Sequence, residues 1–267
     1  MIRLTLALSL AFATPAAAQT AWEEIAGTLY PDRALLDGAE VIAIDAPYRT
    51  YDDARTQIAA RIAAPRGKAL AKVSLVLDNN PMPVSAVFDL DRPLPHFRFD
   101  ITMRVNGPTP LHVVAETSDG ALYVAETFVK TSGQGACAAP PGTDPELALE
   151  TLGQMAIAAV VPEGQSAADQ LGNLARAQRQ VAIDVSHPSH SGMQMDQISL
   201  LFIPMRYVET LDIDLDGQGY AALTGSISLS ENPSVTLSVP AEARRVEVTM
   251  TDTSGAQGRA SADLAAY

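Results

Sequence analysis

The chain of 267 residues holds one thiol, Cys137, and the residues around it bound the chemistry it could do. It lies in Thr131-Ser-Gly-Gln-Gly-Ala-Cys-Ala-Ala-Pro-Pro-Gly142, a stretch without periodicity built from small residues, glycine and proline. That composition reads as a linker. A catalytic thiol needs a cation, an imidazole or a helix N-terminus to hold it as thiolate. Here Lys130 is seven positions upstream, and the nearest downstream charges are acidic, Asp144 and Glu146. A thiol in such surroundings keeps a pKa of about 8.5, so only a small share is thiolate at neutral pH. The slim neighbours Gly133, Gly135, Ala136 and Ala138 instead suit a flexible arm that slides the sulfur into another protein's narrow site. Extended, the six residue steps from Thr131 to Cys137 reach roughly 20 Å. The pattern predicts a covalent attachment point whose chemistry is done elsewhere. A buried inert residue and an intermolecular link are the alternatives, since a lone cysteine cannot close a disulfide within its own chain.

Other constellations are weaker. His187, His190, Met193 and Met195 fall within nine residues. Imidazole and thioether ligands both suit copper, but Pro188 and Gly192 fit an ordinary loop, and the two methionines could face a core at strand spacing. Asp212-Ile-Asp-Leu-Asp216-Gly217 copies half of a calcium loop, yet position twelve is Leu223 instead of glutamate. The aspartates alternate with Ile213 and Leu215, as on the solvent face of a strand. Gly217-Gln-Gly219-Tyr-Ala-Ala222 mimics a dinucleotide fingerprint but reads as a hairpin turn. No nucleophile elbow, zinc-protease helix, paired-cysteine redox motif or phosphate loop occurs, and His96 and His112 stand isolated on strand-like segments. The expected role is non-enzymatic.

The elements that must position Cys137 read as β-structure. The clearest is Phe97, Phe99, Ile101, Met103 and Val105 alternating with Arg98, Asp100, Thr102 and Arg104, a half-buried strand. Similar runs centre on 41–44, 58–64, 73–77, 84–88, 111–117 and 122–130, with Ser118-Asp119-Gly120 as a hairpin turn. Beyond the linker come 155–160, 180–185, 198–203, 208–215, 220–229, 235–239, 246–251 and 259–264. Helix is expected at Ala21 to Tyr30, capped by Thr20, and at Asp144 to Leu152, with a polar, helix-compatible stretch from Ser166 to Arg179. The fold class is therefore all-β, two sandwiches joined by a Gly/Ala/Pro linker. The expected divisions are a leader at 1–18, a sandwich at 19–130, the cysteine-bearing linker at 131–153 and a second sandwich at 154–267. With no disulfide, each half is expected to stand on its own core.

Met1-Ile2-Arg3, the apolar run Leu4 to Phe12 and Ala16-Ala17-Ala18 have the form of a secretory leader cleaved near Ala18. No Arg-Arg pair precedes the run, so a Sec-type route to the periplasm is expected. No later stretch is apolar enough to span a membrane. The net charge of −13, without a basic cluster, repels phosphate backbones and argues against nucleic acid.

Together these segments resemble the SoxYZ-like carriers associated with quinoprotein dehydrogenases, which fuse a SoxY-type to a SoxZ-type domain. Leu36-Asp37-Gly38, Val41-Ile-Ala-Ile-Asp-Ala-Pro-Tyr-Arg49, Val105-Asn106, Ala115-Glu-Thr-Ser-Asp-Gly120 and Leu122-Tyr123 are similar to the SoxY-like part. Phe128-Val-Lys130 then leads to Gly133-x-Gly135-Ala-Cys137, the glycine-rich segment of the carrier cysteine. Ser186-His-Pro188, Ser191-Gly192, Gln194-Met-Asp-Gln197, Ile203-Pro204 and Ser228-x-Ser-Glu-Asn-Pro-Ser234 are similar to the SoxZ-like part. The resemblance implies immunoglobulin-like sandwiches, no cofactor, and a swinging cysteine that holds sulfur intermediates for partner enzymes. The partners it implies are periplasmic: sulfur-oxidation enzymes, cytochrome c or a quinoprotein alcohol dehydrogenase. Two features depart from the pattern. Alanines replace the glycines that flank the SoxY cysteine, and the arm continues into a second domain instead of ending freely. The alternative is an accessory or binding protein of such a dehydrogenase system in which Cys137 is dispensable. His190 and Met193 lie outside the shared pattern, so the copper idea gains nothing from it.

Overall fold

The computed structural model describes residues 20–136, 145–160, 177–195 and 200–264. Cys137, Ala138, the leader and most of the polar stretch after Val160 lie outside the described residues. Helix α1 (Ala21–Leu29) begins at Thr20 with a reciprocal capping box: Thr20 Oγ1 accepts the Glu23 amide, and the Glu23 carboxylate accepts the Thr20 amide. Among the described residues, fifteen strands fall into two groups. The first is β1 (Leu35–Asp37), β2 (Ile42–Asp45), β3 (Thr56–Ala63), β4 (Leu70–Leu77), β5 (Val84–Leu94), β6 (His96–Met103), β7 (Thr109–Thr117) and β8 (Leu122–Val129). After the short helix α2 (Pro145–Glu150) come β9 (Met155–Val160), β10 (Gln178–Val185), β11 (Val208–Leu215), β12 (Gln218–Gly225), β13 (Ser234–Pro240), β14 (Arg245–Asp252) and β15 (Gln257–Asp263). Among the described residues no helix is long and apolar enough to cross a membrane.

Each half is a β-sandwich, as the alternating patterns predict. Strand β6 is buried at every second residue from Phe97 to Met103 and less so between. Its rings cross the sandwich to β5: Phe88 lies 4.9 Å from Phe99, nearly parallel, and 5.4 Å from Phe97 at 60°. Pro95 separates β5 from β6, and there the chain leaves one sheet for the other; a residue without an N–H suits a point where pairing stops.

The expectation that each half stands on its own core is corrected. Strand β5 pairs antiparallel with β12, Ala86–Leu90 against Gly225–Ala221, and β6 pairs with β13 from Phe99 to Ile101. One nine-stranded and one six-stranded sheet therefore run through both halves, over a single core. Unpaired edges β5, β6, β12 and β13 would each expose a row of backbone donors and acceptors, and mutual pairing removes that cost. Side chains reinforce the seam. Ser226 Oγ donates to Ser85 O at 2.9 Å, and Asn80 Nδ2 reaches Ser228 Oγ and Arg104 O, both at 2.9 Å. Arg104, only 1% exposed at the end of β6, donates from Nη1 to Leu229 O at 2.6 Å, while its backbone N–H reaches Ser228 O at 2.6 Å.

Two strand expectations fail. The run at 198–203 forms only an isolated Met195–Phe202 bridge among its described residues. Leu200 sits in the left-handed region, φ 57°, and Leu200, Leu201 and Phe202 are exposed. Strand β12 stops at Gly225, where a side chain would meet Val208 O and the Leu229 side chain.

Candidate functional site

The segment leading to Cys137 is held by the loop between β2 and β3. Lys130, just past β8, donates its N–H to Tyr48 O at 2.7 Å, and its carbonyl accepts the Thr50 N–H at 2.8 Å. Arg49 Nη1 donates to Thr131 O at 3.2 Å, and the Lys130 ammonium lies 5.0 Å from the centre of the exposed Tyr48 ring. This zipper delivers the chain onto one carboxylate. Asp53, 1% exposed, accepts the Ser132 N–H at 2.6 Å on Oδ1, and the Gly133 and Gly135 N–H groups at 3.1 and 3.2 Å on Oδ2. The Thr50 hydroxyl donates to Oδ1 as well, and itself accepts the Ser132 amide at 2.9 Å.

Glycine is required for this convergence. Gly133 and Gly135 have φ of 96° and 85°, left-handed values that side-chain-bearing residues seldom adopt, and alternating hand along the backbone turns successive N–H groups to one side. The resulting anion-binding concavity is filled by Asp53 of the same chain. Burial of that carboxyl pushes its pKa up, but the bonds from Thr50, Ser132 and Gly135 outweigh it and hold the pKa below the usual carboxylate value. Asp53 is itself fixed by its backbone, since Val105 N–H donates to Asp53 O at 2.8 Å. Val105 follows Arg104, so the anchor is continuous with the seam between the halves.

The predicted arm is corrected accordingly. Gly133 and Gly135 serve as turn-forming donors to Asp53, and Ala136 is buried, 1% exposed. These residues are not slack tether, because three amides share one carboxylate. Sequence reading missed Asp53. The available signal was Ser-Gly-x-Gly, a run whose amides converge and call for an anion.

The histidines of the histidine and methionine loop are held by protein partners. His187 is buried, and Ser189 N–H donates to its Nδ1 at 2.9 Å, so Nε2 carries the proton and faces Asp252 Oδ2 at 3.3 Å. Burial lowers the His187 pKa to about 4, only partly offset by Asp252, so the ring is neutral. Burial pushes Asp252 up, but bonds from Ser254, Arg206, Ala256 and His187 hold it well below the carboxylate range. Both ring nitrogens are thus engaged. His190 Nδ1 pairs with Gln194 Oε1 at 3.0 Å. Met193 and Met195 are exposed instead of facing a core. Among the described residues no three His, Cys, Asp or Glu side chains cluster as metal ligands. His112 on β7 is buried against Asp78, the residue after β4, at 2.9 Å, a structural pair. Asp212 and Asp214 sit on β11, Asp212 exposed, and Asp216-Gly217 forms the hairpin turn to β12.

The model of the family "Sulfur oxidation protein SoxY" matches residues 26–137, and that of "Sulphur oxidation protein SoxZ" matches residues 171–263. The chain joins a SoxY-like half to a SoxZ-like half. The SoxY match ends on Cys137, directly beyond the Asp53 anchor. Among solved structures, the sulfur carrier protein SoxY from Chlorobium limicola f thiosulfatophilum aligns at 21% identity over 42% of this chain and 96% of that one, with a TM-score of 0.34. The E23A form of superoxide reductase (neelaredoxin) from Ignicoccus hospitalis aligns at 14% identity over 34% and 80%, with a TM-score of 0.28. The search of curated proteins gave no match.

Proposed function

We propose that this SoxYZ-like chain is a periplasmic sulfur carrier: Cys137 holds a covalent sulfur adduct and presents it to partner enzymes. The observation that carries the reading is the coincidence of the SoxY match, which runs to Cys137, with an arm root built on Asp53. The SoxZ-like half is fused through shared sheets and supplies part of the docking surface. The expected cargo chemistry is simple to balance. Joining thiosulfate to the thiolate forms an S–S bond and releases two electrons, which an acceptor such as a cytochrome c must take. Hydrolysis of the terminal sulfonate then releases sulfate and leaves a persulfide on the carrier. The partners supply both steps, so the carrier needs only an accessible thiol; a quinoprotein dehydrogenase system is the proposed setting.

The test is replacement of Cys137 by serine in the cells that encode the chain, with sulfate formed from thiosulfate as the readout. Loss of sulfate formation is expected. Unchanged formation would refute the carrier reading and favour a non-covalent accessory role for the sandwich surfaces.

A further inference from the structure

The distance over which Cys137 can act depends on where its chain leaves the fold. Backbone pairing with Tyr48 and Thr50 fixes the strand through Lys130. Asp53 then gathers Ser132, Gly133 and Gly135, and Ala136 is buried next to the thiol-bearing residue. With this root closed, one Cα step of about 4 Å and a short side chain place the sulfur no more than about 7 Å from the Ala136 Cα. With the root open, seven residues after Lys130 could extend, a reach of about 24 Å. Opening the root therefore moves the last fixed residue from Ala136 back to Lys130 and lengthens the free tether about threefold.

We propose that Asp53 is the positioning residue of the carrier arm, fixing its exit point and limiting how far from the fold Cys137 reacts. The proposal rests on the reading of Cys137 as the working thiol, and it adds the residue that aims it. Three features make Asp53 specific to this task. Its carboxylate is buried at the base of the arm, its acceptors are filled by arm amides and by Thr50, and the glycines that present those amides require left-handed backbone. A partner enzyme must then either bring its site close to the surface around Ala136 or displace amides from Asp53 to draw the thiol in.

The experiment uses the purified full chain with its leader removed, as wild type, Asp53→Asn and Asp53→Ala. Cys137 is alkylated with N-ethylmaleimide and with the same maleimide carrying a long polyethylene-glycol chain. Both reagents react identically at sulfur, so their rate ratio reads steric access alone. In wild type the bulky reagent is expected to lag. Asp53→Ala should raise the bulky-to-small rate ratio by about tenfold, and Asp53→Asn, which keeps one acceptor oxygen, by less. An unchanged ratio in a folded Asp53→Ala chain overturns the proposal. Hydrogen exchange of the wild-type Ser132, Gly133 and Gly135 amides is the second measurement: at least tenfold protection is expected, and exchange at the unstructured rate overturns the proposal even if the variants do not fold. Failure here leaves the carrier reading standing if Cys137→Ser abolishes sulfate formation. A shifted ratio with unchanged sulfate formation keeps the anchor and sinks the carrier.

Discussion

Arg104→Ala is expected to be among the most damaging single changes in the chain, because Arg104 ties one half to the other. The side chain is 1% exposed, and its Nη1 donates to Leu229 O at 2.6 Å and to Ile227 O at 3.4 Å, on the far side of the seam. A charged hydrogen bond of this kind contributes about 1.5–3 kcal/mol, and its loss leaves a buried carbonyl unsatisfied. Truncation also empties the volume of a long side chain, which costs about 2–5 kcal/mol where neighbours cannot collapse. The terms overlap, so the expected loss is about 3–5 kcal/mol. With a urea slope on the order of 3 kcal/mol per molar, the midpoint should fall by about 1–1.7 M. Arg104→Met fills much of the volume and should lose about 1–3 kcal/mol. Far-UV circular dichroism follows both, since the strands of both halves contribute to it. Wild type is expected to unfold in one transition because its sheets and core are shared. A midpoint for Arg104→Ala within about 0.3 M of wild type, or two separate wild-type transitions, would refute the reasoning.

Other consequences are more local. Gly38→Ala should destabilise by about 2 kcal/mol in the same titration, since an added Cβ would lie 2.7 Å from the Val124 carbonyl that pairs β8 with β1. Acid should weaken the fold through His187: its pKa is about 4 when folded and about 6.5 when not, so the unfolded chain binds the extra proton between those values. Stability is then full above about pH 6.5 and falls by up to about 3 kcal/mol by pH 4. His187→Gln should flatten that part of the pH–stability curve, and an unaltered slope would contradict the assignment. Tyr220→Phe removes a buried hydroxyl that donates to Ser238 O at 2.6 Å and should cost about 1–2 kcal/mol; a midpoint equal to wild type would count against that bond.

What the sequence disclosed followed from local period. Phe97 to Met103 alternates in the chain and in the burial of β6, because one face packs on Phe88 and the other is partly open. The Ser118-Asp119-Gly120 turn is as local as its glycine, φ 84°. What it concealed depended on distance along the chain. Asp53 meets its amide partners 79 to 82 positions later, so no window contains both. The seam pairs β5 with β12, and an edge strand with a partner has the same alternation as one without. Strand β1, three residues long, is too short to show a period. The spacing of His187 and His190 does not reveal burial, and the ring of His187 turns to Asp252, 65 positions away.

The most direct test is the intact mass of the chain taken from cells oxidising thiosulfate, followed by mass mapping of the peptide that contains Cys137. Added sulfur or sulfonate on that peptide, removed by reductant, is the predicted result. A bare thiol under those conditions, or an adduct that maps to any other residue, would contradict the account.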